Sequence, residues 1–453
     1  MTVATAASSQ SLTGWGRTAP TRSSVTVPES GAAVEEALRS ATTPVIARGL
    51  GRSYGDAAQC GGGLVLETSG LSTVGPVDER GAVEVGAGVS LHRLMQEVIP
   101  AGWFVAVTPG TRYVTVGGAI AADVHGKNHH RDGSFARHVL QMTVATPTGT
   151  FTVSPQRDPE LFWATAGGMG LTGVVVSATV QLIPIETSWM EVDTERFGRL
   201  DDLMTTMEKT DHDYRYSVAW LDCLAHRGDG RRSVLTRGDH APSAVLPGRL
   251  RTRSRVAPGD PVLAVPRSAP GRLVNRLSVR ALNEGWFRAS FTAHAALRPL
   301  ASFFHPLDGI GSWNLLYGPE GFVQYQFVVP PDRADVVEDA VEAIAASGLP
   351  SFLAVLKRFG PGTPGPLSFA QEGWTLALDF PLGPAGLPAL LDRLDEMVAL
   401  GGGRVYLAKD ARLRPELVPV MYPRLADLDA VCRRVDPEGT LASDLSHRLG
   451  LPR

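Results

Sequence analysis

Residues 48–56 read RGLGRSYGD and follow directly on a short apolar run, TPVIAR, at residues 43–48 that predicts a buried strand. Gly49, Gly51 and Gly55 let the main chain turn through positive φ and approach a ligand closely. Successive amides in such a turn form a concave anion site suited to a pyrophosphate. The spacing is not GxGxxG, because Tyr54 stands where the third glycine belongs, and no GxxxxGK[ST] phosphate loop occurs. A lone glycine loop is equally what an ordinary turn requires.

A second cluster lies downstream. Residues 109–121, PGTRYVTVGGAIA, put Thr115, Val116, Gly117 and Gly118 ahead of small helix formers, the pattern of a helix start whose backbone can meet a ring or a phosphate. Residues 122–130, ADVHGKNHH, follow at once, and polar residues at that density rarely serve a core. His125 and His129 are four apart, but no acidic pair or cysteine completes a ligand set and Lys127 repels a cation, so no metal is expected. Residues 168–173, GMGLTG, match the dinucleotide fingerprint by letter only. A helical segment, PELFWATAG, precedes them and a β-branched run follows, the reverse of the order that fingerprint needs.

Further short strands are predicted at 62–67, 82–86, 139–146, 150–153 and 173–185, with Ser90 capping a helix that buries Leu91, Leu94, Met95 and Val98. Beyond residue 188 the rhythm changes. Runs such as YSVAWLDC, GFVQYQFVVP, PSFLAVLKRFG and WTLALDFPL predict strands of one large antiparallel sheet, with amphipathic helices at 333–347 and 387–400 covering one face. The expected organisation is α+β: residues 1–188 as a first domain, 189–403 as a second, and 404–453 packing back on the first. Residues 227–280 hold twelve arginines against three aspartates among many Pro, Gly and Ser, and read as a mobile loop. It is either a solvated insertion or a contact for anionic lipid.

The chain has 453 residues, 43% apolar and 20% charged, enough for two cores. A net charge of −3 argues against a nucleic-acid binder, and three scattered cysteines suggest neither disulfides nor a zinc site. Residues 1–10 lack the look of a signal peptide and no run of about 18 apolar residues occurs. A chain with no export signal and no membrane-spanning helix is expected, cytoplasmic or peripheral to a membrane.

Together, RGLGRSYGD, PGTRYVTVGGAIAADVHGKNHH and LFWATAGGMGLTGVV resemble the vanillyl-alcohol-oxidase superfamily, whose FAD-binding domain is of the p-cresol methylhydroxylase (PCMH) type. YLAKDAR and VDPEGTLASDLSHRL extend the match. FFHPLDGIGSWN and YGPEGFVQYQF bring it nearest to the actinobacterial branch that oxidises the 2′-hydroxyl of polyprenylphosphoryl-β-D-ribose. The resemblance implies that FAD lies along Ala47, Arg48, Gly49, Leu50, Gly51, Arg52, Ser53, Tyr54, Gly55, Asp56 and Ala57. Gly110, Thr115 to Gly118, Ala122, Asp123, Val124, His125, Val175, Tyr406 and Lys409 would complete its pocket. It implies keto-sugar formation as the first half of an epimerisation toward the arabinose donor of cell-wall arabinan. A separate NADH-dependent short-chain dehydrogenase would do the second half, with peripheral membrane contact and an envelope or periplasmic face among the settings. Arg52 occupies the position where covalent relatives carry a histidine, which implies non-covalent FAD. Ala377 stands where mycobacterial members have a cysteine.

Such chemistry needs a cation near the flavin ring, and Lys409 is the candidate. The other reading is an edge-strand lysine reaching for water. Tyr54 and His125 are candidates for the hydroxyl proton, the choice between them open. Gln324 and Gln326 share a strand face and suit sugar hydroxyls, or solvent. Lys127, Lys357 and Ala377 are assigned to substrate by the same reading, and Trp220 and Trp374 to the wall of the site or to core packing. The competing activity is an oxygen-using aldonolactone or alditol oxidase.

Overall fold

The structure, a computed structural model, describes residues 8–224, 231–266 and 273–452. Strands β1 (Ser8–Leu12), β2 (Thr21–Thr26), β3 (Val45–Arg48) and β4 (Leu64–Glu67) form a sheet ordered β1-β2-β4-β3. The strand leading to the glycine loop starts at Val45, one residue after Pro44, which has no N–H for a ladder. Strands β5 (Ala82–Gly86), β6 (Trp103–Val105), β7 (Val139–Thr146), β8 (Gly149–Val153) and β9 (Val174–Pro184) make the second sheet, ordered β5-β9-β7-β8, with β6 also on β9. Ser90 caps the helix Leu91–Val98 by accepting from Arg93 N at 3.1 Å, and the four expected apolar residues are buried. Residues 168–173 form a tight turn between the helix Pro159–Thr165 and β9, with Met169 and Gly170 at φ 56° and 84°. The dinucleotide geometry is absent there.

The second large unit is one sheet. It comprises β10 (Trp189–Phe197), β11 (Tyr216–Leu221), β12 (Ser233–His240), β14 (Ala293–Pro299), β16 (Phe322–Val329), β17 (Ala354–Phe359), β18 (Gly373–Pro381) and β19 (Arg404–Val405). Their order is β14-β10-β12-β11-β17-β18-β16-β19, and a small parallel ladder joins β13 (Leu263–Ala264) to β15 (Ile310–Gly311). Helices Ala334–Ser347 and Leu387–Leu400 cover one face, packing Val337, Ile344, Leu391 and Leu394 with Phe327, Leu356, Leu376 and Leu378.

One expectation is corrected. The arginine-rich stretch is not one loop: β12 is an interior strand of the sheet and a helix begins at Arg276, while Arg227, Arg267 and Arg272 lie outside the described residues. A window average hid the buried pair Val234 and Leu235, which seat β12 between two neighbours. Of the two readings open for Trp374, core packing is the one its position favours: it sits on the helix-covered face of β18 with its side chain sealed off.

After β19 the chain leaves this sheet and returns to the first. Val45 N donates to Thr440 O at 2.8 Å, and Arg448 bridges Asp56 and Asp410 at 2.8 and 2.9 Å.

Candidate active site

The glycine loop is clamped from three sides. Trp15 N donates to Ser53 O and Gly16 N to Tyr54 O, while Tyr54 N donates to Ala408 O at 2.9 Å. A Cβ on Gly55 would stand 2.0 Å from Asp410 O, and one on Gly49 would stand 2.3 Å from Thr115 Oγ1. Thr115 in turn caps the helix Val116–Ala121, accepting from Gly118 N at 3.1 Å, and a Cβ on Gly117 would meet Ala87 at 2.9 Å. The expected residues of the loop, the 115–118 turn and the 406–409 turn are therefore in contact, and glycine is what permits it. Gly110 faces open space.

Several expected cofactor residues have their side chains engaged elsewhere. Arg48 braces the loop by donating to Ala58 O and Thr13 O. Arg52 donates to Tyr113 O and lies 3.8 Å over the Trp15 ring. The Asp56 carboxylate is taken by Arg448. That of Asp123 accepts from Ala136 N, Thr363 and Ser368. Leu50 is exposed and Val175 belongs to the core, so at these positions only main chain is free for a ligand. Ala47, Ala57, Ala122 and Val124 are small or apolar and add no polar contact.

Opposite this loop lies the face of the large sheet turned away from the helices Ala334–Ser347 and Leu387–Leu400. In the antiparallel register Gln324 faces Asp379, Gln326 faces Ala377, Ala377 faces Val355, and Val355 faces Trp220. Lys357 faces Thr375. Cross-strand partners project to the same side, so these residues share one face, as the alternation of Gln324 and Gln326 predicted. Gln326 Nε2 lies 2.8 Å from His125 Nε2 and 3.1 Å from Thr375 Oγ1. Lys409 Nζ stands 4.0 Å from the centroid of the Tyr54 ring. Tyr406 donates to Ala122 O at 2.6 Å and stacks on Phe369, beside His125. Lys127 donates to Phe303 O.

The electrostatics follow from withdrawing these groups from water. Burial pushes Lys409 down to about 7, aided by Lys357 and opposed by Asp379. It lowers Lys127 to about 7 and Lys357 to about 8. His125 is held neutral, well below the usual imidazole range, by burial and the nearby lysines. Tyr54 is held as the phenol, well above its usual range, chiefly by burial. Asp379, raised to about 6 by burial, accepts from Gln324 and from Tyr317 at 3.3 Å. Asp379, Tyr317 and Thr375 were missed in the sequence. Parity along residues 375–379 marks Thr375 and Asp379 as companions of Ala377, but only the register with β16 sets them beside the glutamines.

Lys127 and Lys409 each lie within electrostatic reach of Lys357, and a carboxylate, Asp379, opposes the burial of Lys409 alone among the three, an arrangement that an anionic group would complete. The glycine surfaces of the 49–55 loop and the 115–118 turn admit the close main-chain approach that the pyrophosphate of FAD needs, and Lys409 beside Tyr54 offers a cation for its ring, so the residues fit the group. Residues 23–154 match the family model described as an FAD binding domain. The chain is 42% identical to the decaprenylphosphoryl-beta-D-ribose oxidase of Mycolicibacterium smegmatis, over 97% of each chain. It is 44% identical to an uncharacterized protein of Streptomyces coelicolor over 80% of this chain and all of that one. Cytokinin dehydrogenase 3 of Oryza sativa subsp. japonica is 30% identical over 36% of this chain and 33% of its own.

Proposed function

We propose a function on one premise: the chain belongs to the decaprenylphosphoryl-β-D-ribose oxidase family of FAD-dependent oxidoreductases. It oxidises the 2′-hydroxyl of polyprenylphosphoryl-β-D-ribose to the ketone. The observation that carries this reading is the face shared by Trp220, Gln324, Gln326, Lys357 and Ala377, set against Tyr54, His125 and Lys409.

Bound FAD supplies the hydride acceptor. Residues 1–188 hold it non-covalently, chiefly through main chain, since Arg52 offers no imidazole for attachment. Lys409 stabilises the negative charge that oxidation leaves on the flavin. Gln324 and Gln326 hold sugar hydroxyls, and Lys127 and Lys357 hold the phosphate. Of the two candidates for the hydroxyl proton, His125 is a neutral imidazole whose Nε2 lone pair accepts from the Gln326 amide until the sugar hydroxyl takes that place, while Tyr54 is protonated. His125 therefore accepts the proton and Tyr54 orients the hydroxyl. Reduction of the ketone falls to a separate NADH-dependent reductase, because no nicotinamide fingerprint in correct order exists here.

The test is to incubate purified protein with polyprenylphosphoryl ribose and an electron acceptor. Ketone alone is expected, turning to arabinosyl lipid only when reductase and NADH are added. If ribosyl lipid is inert while alditols or aldonolactones release hydrogen peroxide, the reading is wrong. Acid precipitation should leave FAD in the supernatant.

A further inference from the structure

Thr375 is fully buried, and its hydroxyl has one proton to give. That proton goes to Phe327 O, 2.8 Å away. Toward Gln326 Nε2, at 3.1 Å, the same oxygen can therefore only accept. The amide is thus turned with its nitrogen toward Thr375, because its carbonyl end there would set two buried acceptors against each other.

The consequence falls on His125. Gln326 Nε2 also stands 2.8 Å from His125 Nε2, and an amide nitrogen brings two hydrogens and no lone pair to accept with. His125 Nε2 must then be bare, with the ring proton on Nδ1. Little else on the ring makes this choice. Nδ1 is buried with no hydrogen bond of its own among the described residues, and the nearby Gly126 main chain favours a proton on the ring without opposing one at Nδ1. The rings of Phe359, Phe369 and Tyr406, with centroids 4.7, 5.9 and 5.7 Å away, hold the plane of the imidazole. The terminal torsion of an amide is soft, so either end can be turned toward a neighbour. Without the Thr375 hydroxyl, the carbonyl of Gln326 is free to swing toward His125, and the imidazole would answer by carrying its proton on Nε2. That atom would then be a donor, unable to take a proton.

We propose that Thr375 is a positioning residue for the oxidation: its hydroxyl locks the Gln326 amide and, through that amide, selects the His125 tautomer whose Nε2 can accept. Control of the tautomer follows from the three side chains alone. Its bearing on the sugar's hydroxyl proton rests on the function proposed above.

The experiment reads the tautomer of His125 in the full-length flavoprotein, labelled with isotopic nitrogen at histidine, from a long-range proton–nitrogen spectrum. Loss of signals in His125→Asn identifies the residue. The parent should show a bare Nε2 and a protonated Nδ1. Thr375→Val, which keeps the shape and removes the hydroxyl, should reverse them, whereas Thr375→Ser should keep the parent's pattern. Gln326→Glu, whose carboxylate only accepts, should reverse them with Thr375 in place, and it supplies the test if Thr375→Val fails to hold flavin. With ribosyl lipid, Thr375→Val should slow anaerobic flavin reduction at least about tenfold while KM stays within about twofold of the parent's, and Thr375→Ser should run near the parental rate. A parent with Nε2 protonated, or a Thr375→Val or Gln326→Glu protein with the parent's tautomer, would overturn the proposal. So would Thr375→Ser as slow as Thr375→Val, the mark of a role in packing alone. If the tautomers change as expected while ribosyl lipid is oxidised by none of the proteins, the control of His125 stands and the proposed function falls.

Discussion

Lys409 occupies a position that burial makes unfavourable to its charge. Its folded pKa of about 7 lies below the ordinary lysine value, so the folded state holds the proton less tightly than the unfolded chain does. Stability therefore rises as pH climbs from about 7 toward the unfolded value, and the ammonium is a burden at lower pH. Lys409→Met should melt no lower than the parent at pH 6, as thermal unfolding would show. The same variant should slow anaerobic flavin reduction by roughly a hundredfold, on the order of 3 kcal/mol, and a parental rate would refute the role. Because the charge is lost as pH rises through about 7, the parent's reduction rate should decline on that limb. Lys409→Arg, which stays protonated, should flatten it. Tyr54 and His125 separate by a paired measurement. His125→Asn should cost about a hundredfold in reduction rate and Tyr54→Phe no more than about tenfold, and the reverse order would exchange their assignments.

At the scale of the element, β18 divides two environments by parity alone. Thr375, Ala377 and Asp379 face the site, while Trp374, Leu376 and Leu378 face the covering helices. A cysteine placed at Ala377 should react with a thiol reagent and lose activity in step with labelling, and prior addition of substrate should protect it. Leu378→Cys should stay unlabelled in the native protein, because its neighbours exclude the reagent. Equal labelling at both positions would mean that the strand is read one residue out of register. The three native cysteines are buried, so the background is low. Parity was legible in the sequence for Gln324 and Gln326. Residues 375–379, Thr-Leu-Ala-Leu-Asp, carry the same alternation, but only the register with β16 sets Thr375 and Asp379 beside the glutamines.

The whole molecule depends on the C-terminal stretch returning to the first sheet. Arg448 ties Asp56 in the glycine loop to Asp410 in the turn beside Lys409, and both carboxylates are largely buried. Removing the guanidinium leaves two buried charges without their partner, so Arg448→Ala should destabilise by about 3 kcal/mol. The loop and the 406–410 turn would lose a common tether, so weaker FAD retention on gel filtration should accompany the lower melting point. A variant that melts and retains flavin like the parent would show that main-chain bonds hold the loop unaided.

Local rules sufficed for much of this protein. The glycine loop, the Ser90 and Thr115 caps, the paired glutamines and the alternation of strand and helix after residue 320 depend on neighbours within a few residues, where backbone freedom and hydrophobic period act directly. What depends on partners far along the chain was decided only by the tertiary structure. The seating of β12 inside the sheet, the burial of Trp374 and the pairing of Gln324 with Asp379 were not legible in residue order. Neither was the capture of Asp56 by Arg448, 392 residues away. Composition cannot reveal which face of a strand is covered or which charge finds a counter-ion, because both are properties of the assembled layers.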